Sequence, residues 1–477
     1  MRMVWLRAVF GLGAACIVGP ALAQTQPHTL QEALAAAYSN NPTLLAARAA
    51  LRAVDEGVPQ ALAGWRPTIV VTGSFGGAAG TSQQQPGTTV RQADGTTRNV
   101  TNINRTNRQP LAASAQITQP IYNGGRTEAQ THGAENRVLS QRGRLIATEQ
   151  LVFTNVIADF TNVIQTEQLL QLDINQEQVL TRQLQATNDR FRVGEITRTD
   201  VAQSEAALAG ARATRQTAEG NVQTARAAFQ RDVGFLPDRL IAPQPLALPI
   251  KTAAEASRIA AANNPTLIYT MFDAAASKDA IDVAYSAILP TLSAVGQAFR
   301  QDNSTFINSR ALGAQATLNL SVPIYQGGAE YSAVRQARQT EQQSRKTVDD
   351  TRRQVIQAAL SSWETLAAAR STIQSTRAAI RANEIALEGT QREAVVGSRT
   401  TLDVLNAEQA LLQSRSTLVQ NLASLITSSY GVANAIGRLT ARDLNLNVPL
   451  YDDKAYYLAV HDRLFGTGDY EYSQPGR

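Results

Sequence analysis

An internal duplication is the feature that most constrains this 477-residue chain. The sequence Asn-Asn-Pro-Thr-Leu at 40–44 returns at 263–267, an offset of 223 residues (263 − 40). Further along, Pro-Ile-Tyr at 120–122 returns at 323–325, an offset of 203 (323 − 120). The first half therefore holds 20 more residues (223 − 203) between the two motifs. A repeat this long predicts one structural unit built twice.

The first 23 residues have the pattern of a secretory signal peptide. Arg2 and Arg7 form a basic start, an apolar stretch follows, and the Ala-Leu-Ala at 21–23 is a small-x-small cleavage site. The apolar stretch is short for a membrane anchor. Cys16 lacks the preceding leucine of a lipoprotein signal, so we do not expect it to be lipidated.

The composition argues against an enzyme and against a nucleic-acid partner. The formal net charge of +5 falls to +3 once Arg2 and Arg7 are removed, which is too mild for a nucleic-acid-binding surface. The three histidines, His28, His132 and His461, are too dispersed for a zinc site. We therefore expect no metal, no cofactor and no catalytic residues. No segment beyond the signal has the apolar length of a transmembrane helix.

Each half opens with short helices. Thr29-x-x-Glu32 and Thr252-x-x-Glu255 are capping boxes, in which a threonine and a glutamate satisfy the first free backbone N–H groups of a helix. The Asn-Pro pair that follows in each half, first at 41–42, predicts the start of another helix.

A very long helix is predicted in each half. Residues 124–191 and 327–394 contain no proline, and 68 residues (191 − 124 + 1) in a helix would span about 100 Å. Apolar residues three or four apart predict coiled-coil seams, namely Phe153, Val156, Phe160, Val163 and Leu170 in the first and Ile356, Leu360, Trp363 and Ala367 in the second. Each helix is expected to end at a glycine, and a new helix to start three residues later and run back.

Two strands are predicted in each half. Apolar and polar residues alternate at 69–75, 113–118 and 312–322, and less cleanly at 292–299. This pattern and length fit a tilted membrane-barrel strand, but a half-buried strand of a soluble sheet looks the same locally. The polar segment 80–109 has no apolar period and is predicted to be a long exposed loop.

Four strands are too few to close a barrel, and a membrane does not tolerate an open sheet edge. A membrane-spanning form of this chain would therefore have to oligomerise. Two copies would supply eight strands, a size that side chains usually fill, whereas three would supply 12 and leave room for a lumen.

The domain boundaries follow the repeat. We predict a first repeat at 24–236, a proline-rich linker at 237–251, a second repeat at 252–444 and a C-terminal tail at 445–477. The sequence leaves open whether the tail packs on the helices or is disordered.

The turns after the long helices carry a resemblance. Val193-Gly194 is followed by Thr-Asp-Val at 199–201, and Val396-Gly397 is followed by Arg399 and then by Asp-Val-Leu at 403–405. With this pattern, residues 29–444 resemble the TolC family of outer-membrane efflux proteins. The resemblance implies a mainly α fold with a membrane β-barrel, in which a homotrimer forms a 12-stranded barrel and a helical periplasmic tunnel roughly 100 Å long.

The same resemblance implies a function and its partners. It implies a passive outer-membrane exit duct of a tripartite efflux or type I secretion system. The inner-membrane pump, of the RND or ABC type, would connect to the duct through a periplasmic adaptor protein. Outer-membrane lipid would surround the barrel, and no enzymatic activity, cofactor or nucleic acid is implied.

The resemblance also implies site residues. Asp403 matches an acidic ring at the periplasmic entrance, Asn406 stands where a second ring is common, and Arg399 and Asp200 match partners that hold the entrance shut. Ala394 stands where that closing network has a tyrosine. The implied entrance residues are Asp403, Asn406, Arg399, Asp200 and Thr199, and the implied adaptor-docking tips are Val193, Gly194, Glu195, Val396, Gly397 and Ser398.

Two alternatives remain open at this point. Asp200 and Asp403 stand three residues after a threonine, so both also fit plain helix caps, and the two glycines also fit plain helix ends. For the whole protein, the alternative is a soluble periplasmic coiled-coil adaptor or scaffold. An adaptor would normally have one helical hairpin flanked by lipoyl-type halves, whereas this chain has two equivalent hairpins.

Overall fold

The computed structural model describes residues 27–84, 89–91, 93–99, 102–304 and 307–468. The predicted signal peptide, with Cys16, lies outside the described residues. The first half contains, in order, α1 (Leu30–Asn40), α2 (Pro42–Asp55), α3 (Gly57–Leu62), a short 3-10 turn (Ala63–Trp65), β1 (Thr68–Phe75), β2 (Ala78–Gln84), β3 (Thr89–Arg91), β4 (Thr97–Asn99), β5 (Asn102–Arg108), β6 (Leu111–Tyr122), α4 (Arg126–Arg192) and α5 (Arg198–Val233).

The second half repeats this order without β2 to β5, and it has one continuous helix where the first half has α2, α3 and the 3-10 turn. It contains α6 (Ala253–Asn263), α7 (Pro265–Ser286), β7 (Thr291–Asp302), β8 (Arg310–Ser321), α8 (Ala329–Val395), α9 (Thr401–Ala435) and, in the tail, α10 (Ala455–Val460). The two predicted long helices are confirmed, since α4 and α8 have 67 residues each. Among the described helices, none carries an apolar stretch long enough to cross a membrane.

The predicted helix starts are confirmed by their hydrogen bonds. Glu32 N donates to Thr29 Oγ1 at 3.3 Å, and Thr29 N donates to Glu32 Oε2 at 3.2 Å. Asn41 Oδ1 accepts from Thr43 N at 2.9 Å, with a proline in the first position of α2. These caps supply acceptors for backbone N–H groups that have no partner inside the helix.

Four strands form one antiparallel sheet in the order β1-β6-β7-β8. Its register puts most apolar residues of all four strands on one side, which we call the apolar face. This face includes Ile69, Val71, Phe75, Leu111, Ala113, Ala115, Ile117, Leu292, Ala294, Ala298, Leu312, Ala314, Ala316, Leu318 and Leu320. Large side chains on this face are exposed, with Leu312 at 81% and Val71 at 76%. On the opposite face, Gln315 Nε2 donates to Gln297 Oε1 at 2.8 Å.

Strand β7 shows why the sequence pattern was weakest at 292–299. Phe299 lies on the polar face, where its ring covers Gly313 of β8; a Cβ on Gly313 would lie 2.7 Å from Phe299 Cζ. The aromatic side chain fills space that the glycine leaves open. Because this apolar residue is on the polar face, apolar and polar residues do not alternate cleanly in the sequence of β7.

The prediction of a loop at 80–109 is wrong. The described part of this segment contains two antiparallel strand pairs, β2 with β5 and β3 with β4. These strands consist mainly of Thr, Gln, Asn and Arg, so no alternation of apolar and polar residues marks them in the sequence.

The chain divides into two compact units, and each takes parts of both halves. One unit comprises 155–244, 373–426 and the described residues up to Ala37. Its interior contains Phe160 and Phe229, which are both 0% exposed and whose ring centroids lie 6.1 Å apart. The predicted seam of α4 is therefore confirmed at Phe160.

The other unit comprises the described residues of 38–154, 245–372 and 427–468. The tail, which the sequence left open, packs within this unit as far as it is described. Tyr451 N donates to Tyr38 Oη at 3.0 Å, and Tyr456 Oη donates to Glu56 Oε1 at 2.8 Å. Tyr457 packs against the buried cluster of Val58, Ala134 and Val138.

The predicted seam of α8 is not the stripe that is buried within the described chain. The predicted residue Leu360 is 39% exposed, whereas the buried stripe consists of Val355, Ala359 and Leu366. Helix α8 thus carries two apolar stripes side by side, and among the described residues the second stripe is at most partly buried. Spacing alone could not say which stripe faces inward, because both have the same period.

Candidate functional site

The first long helix ends at Gly194, which adopts the left-handed backbone conformation with φ +80°. Glu195 N donates to Arg190 O at 3.0 Å, and Gly194 N donates to Phe191 O at 3.0 Å. These two bonds satisfy the last free carbonyls of α4, as in a Schellman motif. The left-handed conformation favours glycine because a Cβ would be strained there.

The second long helix ends in the same way. Gly397 has φ +79°, Ser398 N donates to Glu393 O at 3.0 Å, and Gly397 N donates to Ala394 O at 3.3 Å. No atom lies within 4 Å of the position of a Cβ on Gly194 or Gly397. The glycines therefore serve the backbone conformation and leave the surface at each turn open.

The helices that follow begin with complete capping boxes, as predicted. Thr197 N donates to Asp200 Oδ2 at 3.0 Å and Asp200 N to Thr197 Oγ1 at 3.4 Å. The matching bonds of Thr400 and Asp403 measure 2.9 Å and 3.2 Å. Hydrogen bonds from the threonines lower the pKa of both carboxyl groups, so both are ionised at neutral pH.

The two turns differ in their ion pairs. In the first, Arg190 Nη2 lies 2.5 Å from Glu195 Oε1, and this hydrogen bond lowers the pKa of Glu195. In the second, Arg399 Nε lies 2.8 Å from Glu393 Oε2. Within the described chain, Arg399 and Asp200 each bond to a residue of their own turn, and their proposed part in closing the entrance stays a prediction.

The remaining predicted residues are at the surface of these turns. Thr199 and Asn406 are exposed, and Asp403 is half-buried one helical turn before Asn406. The tip valines Val193 and Val396 are 79% and 78% exposed.

Sequence reasoning missed further residues at this site. Val395, beside Val396, is 80% exposed, and Phe191 is 42% exposed. The Val-Val doublet before a helix-ending glycine was the signal available for Val395. On α9, Glu408 is 5% exposed, its Oε2 atom has no hydrogen-bond partner among the described residues, and burial raises its pKa.

The chain is similar in sequence to known outer-membrane proteins. The family model described as "Outer membrane efflux protein" matches residues 33–234 and 256–438. The outer membrane efflux protein BepC of Brucella suis biovar 1 (strain 1330) is 34% identical over 442 residues, covering 92% of this chain and 91% of BepC. The outer membrane protein TolC of Escherichia coli (strain K12) is 25% identical over 364 residues, covering 72% of each chain.

Solved structures show the same fold. A crystal structure of CusC superimposes with a TM-score of 0.73 at 16% identity, covering 85% of this chain and 91% of the CusC chain.

Proposed function

The chain belongs to the outer membrane efflux protein family, and on this basis we propose that three copies of it assemble into one duct. The protein is an outer-membrane exit duct for efflux and secretion systems, with a barrel in the outer membrane and a helical tunnel in the periplasm. It is a channel protein that works with adaptor and inner-membrane pump systems. We further propose that the duct is a homotrimer, that its pump is of the RND or ABC type, and that single residues have the roles given below.

The main support for a trimer is the four-stranded sheet with its exposed apolar face. Among the described strands, the outer two of this sheet, β1 and β8, each have a neighbour on one side only. Backbone groups at such edges have no partners in a lipid bilayer, where each would cost several kcal/mol. Pairing β8 of one copy with β1 of the next closes the sheet, and three copies give 12 strands around a lumen.

Helix α8 supports the same assembly. Its second apolar stripe, with Ile356, Leu360 and Trp363, is not fully buried within the chain. A second copy of the chain would cover this stripe and remove apolar surface from water. The occupant we propose is therefore the neighbouring protomer.

The two turns are the proposed periplasmic end of the duct. Val193, Gly194 and Glu195, with Val396, Gly397 and Ser398, would contact the periplasmic adaptor of an RND- or ABC-type pump. The exposed valines offer apolar contact area, and the glycines keep that area free of side chains. Asp403 would project into the entrance and attract cations, with Asn406, Arg399, Asp200 and Thr199 around it.

Two measurements test this proposal. The mass of the detergent-solubilised protein should equal three protomers plus the micelle, and the protein should fractionate with the outer membrane. A monodisperse monomer, or a soluble periplasmic pool, would contradict the barrel.

The docking tips need a separate test. We expect Val193→Asp combined with Val396→Asp to abolish export while the trimer still reaches the outer membrane. Arg345→Gln, an exposed change on α8, is the matched control and should export normally. Export that survives the double change would exclude the valines from docking.

A further inference from the structure

A cluster of charge interrupts the apolar face at one end. Arg300 is opposite Leu312, and Asp302 is opposite Arg310, in the register of β7 with β8. Because side chains alternate along a strand, Arg300, Asp302 and Arg310 project from the same side as Leu312 and Ala298. The three residues, which we call the β7–β8 cluster, thus lie on the face that we assign to lipid.

The position of the cluster along the strands sets its depth. Leu292, opposite Tyr122, is at the other end of the apolar face. Arg300 is eight residues beyond Leu292, about 26 Å along the strand or about 20 Å in height at a tilt near 40°. Asp302 is at about 25 Å, the height of the apolar band of such barrels. Asp302 and Arg310 are therefore at the outer edge of the band, and Arg300 is about 5 Å inside it, where its long side chain can still reach the headgroups of the outer leaflet.

This depth explains why arginines are tolerated on the apolar face. A basic side chain facing lipid costs about 2–4 kcal/mol at the midplane but about 0–1 kcal/mol near the interface. This low energetic cost permits two arginines near the interface but does not explain why they occur there. The duplication does not explain the arginines either, because their counterparts in the first half are uncharged. Arg300 corresponds to Gly77 (300 − 223), and Arg310 corresponds to Asn107 (310 − 203).

Hydrogen bonds orient the two guanidinium groups. Asp302 Oδ2 accepts from Arg300 Nε at 3.0 Å, and Asp302 Oδ1 accepts from Arg310 Nε at 3.0 Å. Arg300 Nη2 lies 2.9 Å from Asp302 Oδ2. The aspartate side chain is 16% exposed, whereas those of Arg300 and Arg310 are 51% and 71% exposed. One carboxylate thus holds two arginines side by side and leaves one positive charge uncompensated.

Among the described residues, some donors of both arginines remain free for a ligand. A guanidinium group has five N–H donors, and Asp302 engages two of Arg300 and one of Arg310. At the depth derived above, the remaining donors of both groups would be within reach of lipid headgroups. Paired guanidinium forks match the geometry and charge of a phosphate better than those of any neutral headgroup.

We propose that the β7–β8 cluster binds the phosphate group of a lipid headgroup in the outer leaflet of the membrane. This inference goes beyond the exit-duct function, although it uses the proposed barrel to assign the apolar face to lipid. The trimer would carry three such sites around its rim. Each site would bind one lipid beside the paired strands β7 and β8.

Native mass spectrometry of the purified protein in detergent tests the proposal. The probes are phosphatidic acid, which carries a phosphate monoester, phosphatidylcholine and inorganic phosphate. We expect the wild-type protein to bind phosphatidic acid in preference to phosphatidylcholine. The double variant Arg300→Gln, Arg310→Gln should bind phosphatidic acid at least about tenfold more weakly, since it lacks the charge-assisted hydrogen bonds.

The control is Arg345→Gln, which removes an arginine of 69% exposure that is paired with Glu341. It should bind phosphatidic acid like the wild type. Equal binding by the double variant, or equal binding of both lipids by the wild type, would overturn the proposal. Full competition by inorganic phosphate at equal concentration would show a free-anion site and would overturn the lipid assignment. A monomeric mass would count against the barrel, while the comparison of variants would still decide the phosphate site.

Discussion

Asp55, at the end of α2, is a buried acid without a hydrogen-bonding partner. It is 1% exposed, and neither carboxylate oxygen has a hydrogen-bond partner among the described residues. Burial raises the pKa of Asp55 to about 7; the charge of Arg142 lowers it, and those of Asp453 and Glu56 raise it. The tail packs over this region through Tyr456 and Glu56, so ionisation of Asp55 bears on the attachment of the tail.

The sign and size of the effect follow from linkage. The pKa of Asp55 is raised from 3.8 in the unfolded chain to about 7 in the folded one. Its contribution to stability is therefore fully present below about pH 4 and is lost as the pH rises through about 7. The difference of about 3 pKa units corresponds to a loss of up to about 4 kcal/mol of unfolding free energy.

The perturbation is Asp55→Asn, which keeps the shape of the side chain and cannot ionise. The assay is the thermal unfolding midpoint of the detergent-solubilised protein at one scan rate, from about pH 5 to about pH 8. We expect the midpoint of the variant to rise relative to wild type as the pH increases. Asp349→Asn, at an exposed position paired with Lys346, should follow the wild type. Parallel curves for Asp55→Asn and wild type would refute the reasoning.

Three further predictions concern the turns and the core. Asp403→Asn removes the charge at the proposed entrance, so a trivalent cation added from the periplasmic side should block the channel less strongly. Single-channel recordings measure this block. Identical block curves for variant and wild type would show that Asp403 serves only as a helix cap. Gly397→Ala should lower the unfolding midpoint, since φ is +79°, whereas Gly210→Ala inside α5 should raise it slightly; the opposite order would contradict the assigned conformations. Phe229→Ala should cost about 3–5 kcal/mol of unfolding free energy in denaturant titration, and a cost below about 1 kcal/mol would show that the site is not packed as described.

Features that depend on neighbours in sequence were predictable. The helix starts at Thr29 and Thr252 and the turns at Gly194 and Gly397 require particular residues at fixed spacing, and all four are confirmed. The four strands of the main sheet were predictable too, because a face in contact with one apolar medium imposes a period of two.

Features that depend on distant partners were not predictable. The tail packs through residues about 400 positions away, such as Tyr456 with Glu56, and no local pattern marks such contacts. The inward stripe of α8 was misassigned because two stripes share one period. The β7–β8 cluster needed the register of two strands before Asp302 and Arg310 became neighbours. Of the candidate site, the capping role of Asp403 was confirmed, and its role at the entrance stays a prediction.

The duplication separates what the two turns share from what they do not. At the offset of 203, Arg190 corresponds to Glu393, and Ile196 corresponds to Arg399. Each turn thus contains an arginine–glutamate pair, but the residue on the long helix is basic in one and acidic in the other.

This reversal limits what a partner can recognise at both turns. A protein that contacts both cannot rely on the charge of the helix end, because a group attracted to Arg190 would be repelled by Glu393. Val193 and Val396, in contrast, have nearly equal exposure, and each precedes a glycine of nearly the same φ. We therefore expect a partner that contacts both turns to use the apolar surface of the valines, and the ion pairs to distinguish one turn from the other.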